Sequence, residues 1–266
     1  MNRGQFIVLE GTDGVGKTTL AHNLIDTFKS IYPDKKFEYI ANPNPKAKLY
    51  KAIRNMLKDP NTDPDVLQYA MGQNYMDLVK QIREKLFGGI NIILDRWVIS
   101  AYVYNRVANG SLWKDFMRTS KFYSTNILDT KFIDYRDETV EYLDFQKIDN
   151  IFTSYLPTKV YPDVVIGLDM PLNVILEHSR ARIKEGAKEV NDINQDLIIK
   201  HYNLYNEVFD TIRQEDSLDD KKTLQANFGT DIFKYIYLRN ETKSEAELYT
   251  LQFKEAIEAI TPLFNL

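Results

Sequence analysis

The chain has 266 residues, of which 44% are hydrophobic, and this is enough to bury the core of one α/β domain with insertions. Its net charge of −4 argues against a protein that coats nucleic acid. The absence of cysteine excludes disulfides, thiolate metal sites and cysteine nucleophiles, and is compatible with a reducing cytosol. No signal-peptide segment precedes the first predicted strand and no run reaches membrane-spanning length, so we expect a cytoplasmic protein that binds no membrane.

Residues 11–18 match the pattern G-x-x-x-x-G-K-[ST] of a phosphate-binding loop, or P-loop. An apolar run before them predicts a buried parallel strand, and apolar residues at helical spacing after them predict a helix. This arrangement turns backbone N–H groups and a helix N-terminus toward a phosphate. In such loops the lysine, here Lys17, reaches the β/γ-phosphates, and the hydroxyl of Thr18 contacts Mg²⁺. The predicted ATP-binding residues are Gly11, Asp13, Gly14, Val15, Gly16, Lys17, Thr18 and Thr19.

Further along the chain, the pattern alternates between strands and helices. Strands are predicted at residues 6–10, 36–40, 90–94, 164–168 and 232–238, with a hairpin at 132–143. Helices are predicted at residues 17–30, 46–58, 64–86, 98–117, 146–156, 173–184, 197–208 and 244–264, with 210–230 irregular. Asp63 is the predicted cap of the helix that begins at Pro64, and Ser244 with Glu247 forms a predicted capping box.

Strands that alternate with helices of this length predict an α/β fold, in which a five-stranded parallel sheet has helices on both faces. Ligands then bind at the carboxyl ends of the strands. The P-loop, the proline-rich segment 41–45 and Asp95 all follow predicted strands, so they share one edge of the sheet. A carboxylate at such a strand tip is the usual position of the residue that orders Mg²⁺, so Asp95 and Thr18 are the predicted metal-site residues.

Four blocks in this order resemble the thymidylate kinase family of P-loop nucleoside monophosphate kinases. Residues 6–19 are similar to the family's opening almost residue for residue, and residues 95–105 resemble its D-R-[YFW]-x-x-S-x-x-A-Y-Q segment. Residues 162–169 resemble its P-D-L-x-x-x-L-D strand, and residues 179–182 resemble the start of its arginine-bearing lid. The resemblance implies a three-layer P-loop NTPase fold in a single kinase domain over residues 1–266. Within it we expect an insertion at about 110–145, a lid at about 180–192 and an extra segment at about 210–230.

The resemblance implies transfer of the γ-phosphoryl group of ATP to dTMP, giving dTDP, with Mg²⁺ as cofactor, in a homodimeric enzyme. It implies that Lys17 holds the donor phosphates, Asp95 the Mg²⁺, and Arg96 the acceptor phosphate through its planar fork. Arg54 matches a second arginine that contacts phosphate, and Asp13 stands where the family contacts the sugar 3′-OH. The implied acceptor-binding residues are Asp13, Arg54, Tyr69, Gln73, Asn74, Arg96, Ser100, Tyr104 and Asn105.

Two features of the acceptor side depart from the family. Residues 69–75 correspond to a helix that usually grips the thymine ring with an aromatic residue and an arginine, but no arginine stands here. We expect Tyr69 to stack on the base, and Gln73 or Asn74 to form hydrogen bonds with it. Asn105 stands where glutamine is usual. The base preference therefore stays open between dTMP alone and a broader set of deoxynucleoside monophosphates.

Gly14 separates two versions of the family. Some members carry an arginine at this position of the P-loop, whereas others have glycine there and supply the arginine from the lid. We therefore assign the stabilisation of transition-state charge to Arg180 and Arg182. Residues spaced i, i+2 point to different sides of a helix, so we expect only one of the two to serve the chemistry. The predicted catalytic residues are Lys17, Asp95, Arg96, Arg180 and Arg182.

Two further functions compete with phosphoryl transfer to a nucleotide. A deoxynucleoside kinase needs a carboxylate base, commonly placed at the end of the second strand, where this chain has Ala41 and Asn42. A non-catalytic nucleotide-binding switch has no need for Arg96 and the lid arginines beside an acceptor phosphate. Both alternatives are therefore disfavoured.

Overall fold

The computed structural model describes residues 3–108, 162–186, 189–216 and 233–264. Within these residues, five parallel strands form one sheet in the order β2-β3-β1-β4-β5. The strands are β1 Phe6–Glu10, β2 Lys36–Ala41, β3 Ile90–Asp95, β4 Val164–Leu168 and β5 Phe233–Ile236. The predicted five-stranded parallel sheet is confirmed. The hairpin at 132–143, the helix at 146–156 and the insertion at 110–145 lie outside the described residues.

The helices of the described residues follow the predicted order closely. They are α1 Lys17–Ile31, α2 Tyr50–Met56, α3 Pro64–Phe87, α4 Val98–Ala108, α5 Leu172–Lys184, α6 Val190–Ile193, α7 Gln195–Asp216 and α8 Glu245–Ile260, with a 3₁₀ turn at Thr261–Phe264. None of them is long and apolar enough to cross a membrane. The predicted capping box of Ser244 and Glu247 is present at the start of α8, and Asp63 caps α3 by accepting a hydrogen bond from the Asp65 amide at 2.8 Å.

Two of the predicted helices differ markedly in their bounds, and the short helix α6 was not predicted. The helix predicted over 46–58 begins only at Tyr50, because the residues before it form turns: the amide of Ala47 bonds Asn44, and that of Tyr50 bonds Ala47. The α7 helix runs on to Asp216, so the start of the segment expected to be irregular is helical. Val208 and Phe209, just before that segment, are buried on the apolar face of α7. The rest of that segment lies outside the described residues.

The side chains of β1 alternate between two hydrophobic cores, one on each face of the sheet. Phe6 and Val8 pack on the face that α3, α4 and the second half of α7 cover. Ile7 and Leu9 pack on the opposite face, beneath α1, α5 and α8. All five residues of β1 are therefore buried. The strand ends at the carboxyl edge of the sheet, where the P-loop follows it. That edge carries the P-loop after β1, Asp95 at the end of β3 and residues 42–45 after β2.

Replacement of Asp63 by alanine removes the side-chain acceptor at the start of α3. We expect the free energy of unfolding to fall by about 1 kcal/mol, the usual cost of losing an N-cap. Chemical denaturation of the variant and the wild type measures this difference. Asp63→Asn keeps an acceptor and should leave the free energy of unfolding nearly unchanged, so an equal loss in both variants would contradict the capping role.

Candidate active site

The P-loop, residues 11–18, forms a tight turn between β1 and α1. Gly14 and Gly16 adopt φ values of 89° and 93°, a left-handed conformation that favours glycine. The Lys17 ammonium lies inside the turn and donates hydrogen bonds to the carbonyls of Gly11, at 2.8 Å, and Thr12, at 2.9 Å. Burial, with the nearby charge of Arg96, lowers the pKa of Lys17 to about 8. The lysine is thus held at the centre of the loop, where the motif predicts contact with donor phosphates.

Asp95 lies directly beside Thr18, as the metal-site prediction requires. Its Oδ2 atom accepts hydrogen bonds from the Thr18 hydroxyl at 2.9 Å and from the Tyr39 hydroxyl at 3.2 Å. Its Oδ1 atom is buried and has no hydrogen-bond partner. Among the described residues, no cluster of three or more histidines, cysteines or carboxylates could hold a metal by itself. A hydroxyl and one carboxylate, completed by water and phosphate oxygens, are the donor set that Mg²⁺ takes in kinases, so these residues fit that ion.

Arg96 has an unusual backbone conformation that directs its side chain under the P-loop. Its φ is 77°, which costs a non-glycine residue about 1–2 kcal/mol. Its guanidinium donates hydrogen bonds to the Gly11 carbonyl at 3.2 Å, the Tyr205 hydroxyl at 3.0 Å and the Ser100 hydroxyl at 3.3 Å. It also forms an ion pair with Asp13. Strain of this kind persists at functional sites when the surroundings hold it, as these four partners do.

Asp13 is the carboxylate that interacts with the cations of the site. It accepts hydrogen bonds from Arg96 on one carboxylate oxygen and from the Tyr104 hydroxyl on the other. Burial alone would raise the pKa of Asp13, but the charges of Arg96 and Lys17, with a smaller effect of Arg182, hold it well below its usual range. Its carboxylate is therefore ionised, and it can accept a hydrogen bond from a sugar hydroxyl.

Glu10 fixes the segment that carries Arg96. It is fully buried at the end of β1. Its carboxylate accepts hydrogen bonds from the Trp97 amide at 2.8 Å and the Ser100 amide at 3.1 Å, and another from the Ser100 hydroxyl. Burial raises the pKa of Glu10, and these donors partly offset that effect. Ser100, predicted to bind the acceptor, instead links Glu10, Arg96 and Tyr205, and so supports the arginine.

The two lid arginines lie in different surroundings, as their spacing on a helix predicts. Arg180 is exposed on α5, whereas Arg182 is partly buried beside the P-loop. A Cβ atom built on Gly14 would lie 3.6 Å from the guanidinium of Arg182 and 3.4 Å from the Cβ of His178. Arg182 and His178 therefore both lie next to Gly14, so α5 brings Arg182 to the loop.

The predicted acceptor-binding residues divide into groups. Tyr104 and Arg96 contact Asp13, whereas Tyr69 and Gln73 are exposed on α3. Arg54 forms an ion pair with Glu189, whose carboxylate lies 2.9 Å from its Nε atom, so here it faces the lid segment. The side chain of Asn105 lies outside the described part of the structure.

Asn74 differs from the expectation that it meets the base. It is buried, and its side-chain amide donates to the Asn42 side chain at 2.7 Å. Its side-chain oxygen accepts from the Asn44 amide at 3.3 Å, and the Asn44 side chain bonds Gln81 at 3.0 Å. Both polar atoms of Asn74 thus hold the segment after β2, and we assign it a structural role.

Sequence reasoning missed four residues that contact the site. Glu10 precedes the P-loop directly, and its place at a strand end was the available signal. Tyr39 supports Asp95 from β2. Tyr205 lies on α7, distant in sequence, and its helical spacing indicates only a core residue. His178 precedes Arg182 by one helical turn, so the shared helix face was a usable signal.

The chain is similar to known thymidylate kinases in sequence. Residues 9–125 match the family model described as Thymidylate kinase. A thymidylate kinase from Mycoplasma mobile is 38% identical over 110 residues, which cover 40% of this chain and 52% of that protein. A probable thymidylate kinase from Methanococcus aeolicus is 27% identical over 203 residues, covering 76% of this chain and 80% of that protein. The chain spans about half the length of several curated relatives that it matches.

Solved structures of thymidylate kinases share the fold. The enzyme from Candida albicans superposes with a TM-score of 0.56 at 22% identity, over 96% of this chain and 92% of that one. The enzyme from Ehrlichia chaffeensis has the same TM-score at 17% identity, over 97% of this chain and 99% of that one. The predicted three-layer P-loop NTPase fold and the resemblance to the thymidylate kinase family are confirmed.

Replacement of Asn74 by alanine should destabilise the protein, because the Asn42 side-chain oxygen and the Asn44 amide lose their partner inside the protein. We expect the free energy of unfolding to fall by about 1–3 kcal/mol, the cost of a buried polar group left unpaired. Denaturant titration measures it. Gln73→Ala, next to it on the exposed side of α3, is the matched control and should change stability little; equal stability of the two variants would contradict the structural role.

Proposed function

We propose that this chain, a relative of the thymidylate kinases, transfers the γ-phosphoryl group of ATP to dTMP and releases dTDP and ADP. One observation carries the proposal: three cations lie at the P-loop. Lys17 bonds loop carbonyls, Arg96 pairs with Asp13, and Arg182 lies beside Gly14. Phosphoryl transfer brings two anions together and spreads negative charge in the transition state, so it depends on positioned cations more than on covalent help. Three cations around one loop meet that requirement.

Each cation has a distinct role in the proposal. Lys17 leaves its two loop carbonyls to bind the donor phosphates, which offer stronger, charged acceptors. Arg96 neutralises the acceptor phosphate through its planar fork, while Glu10, through Ser100, keeps it oriented. Arg182 stabilises the charge on the moving phosphoryl group from the lid side. The exposed Arg180 is left to solvent or to the outer part of ATP.

Thr18 and Asp95 would hold Mg²⁺ next to the donor phosphates. The buried Oδ1 atom of Asp95, which has no hydrogen-bond partner, supports this assignment. When bound there, Mg²⁺ would neutralise charge on the β- and γ-phosphates. Tyr39 holds Asp95 from the side of β2 and so keeps its carboxylate directed at the loop.

On the acceptor side, Asp13 and Tyr104 would meet the sugar. Arg54 would leave its ion pair with Glu189 and bind the acceptor phosphate. Tyr69 and Gln73 remain the proposed base contacts from α3, and Asn105 the proposed contact from α4. The carboxyl end of β2 carries Ala41 followed by the buried Asn42, so no carboxylate stands there to deprotonate a sugar hydroxyl. This favours a phosphate acceptor over a nucleoside.

A homodimer and a cytoplasmic location belong to the same proposal and rest on the family resemblance. The net charge of −4 supports small-molecule substrates rather than nucleic acid. Sedimentation analysis of the purified protein tests the homodimer.

The decisive experiment offers dTMP, dUMP, dGMP, dCMP and dAMP in turn, with ATP and Mg²⁺, and measures ADP release. We expect the highest kcat/KM with dTMP. Similar values for several acceptors would point to a broader deoxynucleoside monophosphate kinase. ATP binding without transfer to any acceptor would overturn the proposal in favour of a nucleotide switch.

Lys17→Ala should abolish most of the transfer, because the donor phosphates lose a buried cation. We expect kcat/KM to fall by an amount equivalent to roughly 3–4 kcal/mol, as for the loss of one strong transition-state donor. Steady-state kinetics with dTMP and ATP measures it. Lys29→Ala, at the exposed end of α1, is the control; near-normal turnover by Lys17→Ala would sink the P-loop assignment.

Arg182→Ala and Arg180→Ala form a matched pair on one helix. Because Arg182 lies beside Gly14 and Arg180 is exposed, we expect kcat to fall about 100-fold for the first and little for the second. Separate measurement of kcat and of the KM for dTMP makes the distinction. If Arg182→Ala changes only the KM, the residue binds substrate and does not stabilise the transition state.

A further inference from the structure

His178 connects the lid helix, the P-loop and the last helix. Its Nδ1 atom lies 2.6 Å from the carbonyl oxygen of Gly14. Its Nε2 atom lies 2.9 Å from a carboxylate oxygen of Glu245, the first residue of α8. Its ring is stacked with that of Tyr249, with centroids 6.1 Å apart and planes 15° apart. Because a carbonyl oxygen can only accept, Nδ1–H is the donor to Gly14.

One face of α8 contacts the P-loop on the side where His178 lies. Glu245, Tyr249 and Gln252 are spaced i, i+4 and i+7, so they share a face. Tyr249 packs so closely on Gly16 that a Cβ atom there would lie 2.4 Å from its ring. The fully buried Gln252 donates to the Val15 carbonyl at 3.2 Å. Two consecutive carbonyls, those of Gly14 and Val15, are therefore held on the outside of the loop by side chains.

The outward orientation of these two carbonyls fixes the direction of the N–H groups that follow them, those of Val15 and Gly16. In a trans peptide, the C=O and the following N–H point in opposite directions. The Val15 amide accordingly lies on the inner side, where it is 3.3 Å from the Thr12 carbonyl. That same carbonyl accepts from the Lys17 ammonium at 2.9 Å. The amide thus faces the space in which loop N–H groups of this motif cradle phosphates.

We propose that His178 is a positioning residue for the donor phosphates, acting through the Gly14–Val15 peptide. It holds the carbonyl of that peptide outward, so that the amide faces the phosphates of ATP. Since His178 and Arg182 are one turn apart on α5, the same contact sets the depth at which Arg182 reaches the loop. Glu245 and Tyr249 in turn hold the imidazole ring. The inference deepens the proposed function and rests on it for the identity of the ligand.

The test compares three substitutions of His178. An asparagine can present its amide nitrogen near the position of Nδ1, whereas a glutamine presents it near that of Nε2, and a leucine offers no donor. We expect Leu and Gln to weaken ATP binding about tenfold, the loss of one well-placed hydrogen bond. Asn should restore affinity close to that of the wild type. Glu177→Gln, on the exposed neighbouring position of α5, should bind ATP normally.

Titration calorimetry with ATP and Mg²⁺, without acceptor, measures the affinity, and thermal unfolding checks that each variant is folded. The KM for dTMP should stay unchanged, while kcat falls for Leu and Gln because Arg182 is displaced. Should the Leu variant not fold, the comparison of Asn with Gln still decides. Wild-type affinity in the Gln variant, or equal weakening by Asn and Gln, would overturn the inference. If the wild type binds ATP but phosphorylates no acceptor, the proposed function fails, and the binding series still tests His178.

Discussion

The ion pair of Arg96 with Asp13 is the interaction on which the rest of the site depends. Lys17 and Arg96 are both buried or largely buried next to one loop, and such charges are costly without a partner. Asp13 supplies that partner for Arg96, and the loop carbonyls supply it for Lys17. In the proposed function, the same cations offer their charge to incoming phosphates, which would replace part of what Asp13 and the carbonyls provide. The loop therefore both surrounds the Lys17 ammonium and supplies, through Asp13, a counter-ion for Arg96.

The contacts around the P-loop explain how its charged side chains keep their positions. Glu10 beneath and Ser100 beside it fix the segment after β3, in which Arg96 keeps its left-handed backbone. From outside, α5 and α8 hold successive loop carbonyls through His178 and Gln252. Each partner comes from a different element of the sheet layer or its covering helices. The geometry of the site is therefore a property of the packed layers, since no single segment could maintain it.

Much of the fold could be predicted because the signals are local. Buried apolar runs give the strands and their order of appearance, and cap residues such as Asp63 give the helix starts within a few residues. The P-loop was predicted from its motif, and Asp95 was placed beside it because strand ends on one sheet edge must meet. The end of α7 and the start of α2 were missed; at α2, turn hydrogen bonds override simple spacing. Asn74 was assigned to the base because spacing cannot reveal its bonds to Asn42 and Asn44.

The sequence by itself determined the class of the fold and the phosphate-binding motif, and Gly14 led, through the family resemblance, to the prediction that an arginine comes from outside that loop. Only the tertiary structure decided which of the two lid arginines lies at the loop. Arg180 and Arg182 have the same chemistry and nearly the same position in the chain, but the packing of α5 against Gly14 brings one to the loop and leaves the other exposed. Tyr205 and His178 likewise reach the site from distant helices. Contacts between segments far apart in the chain depend on how the layers pack, and no local residue pattern records that.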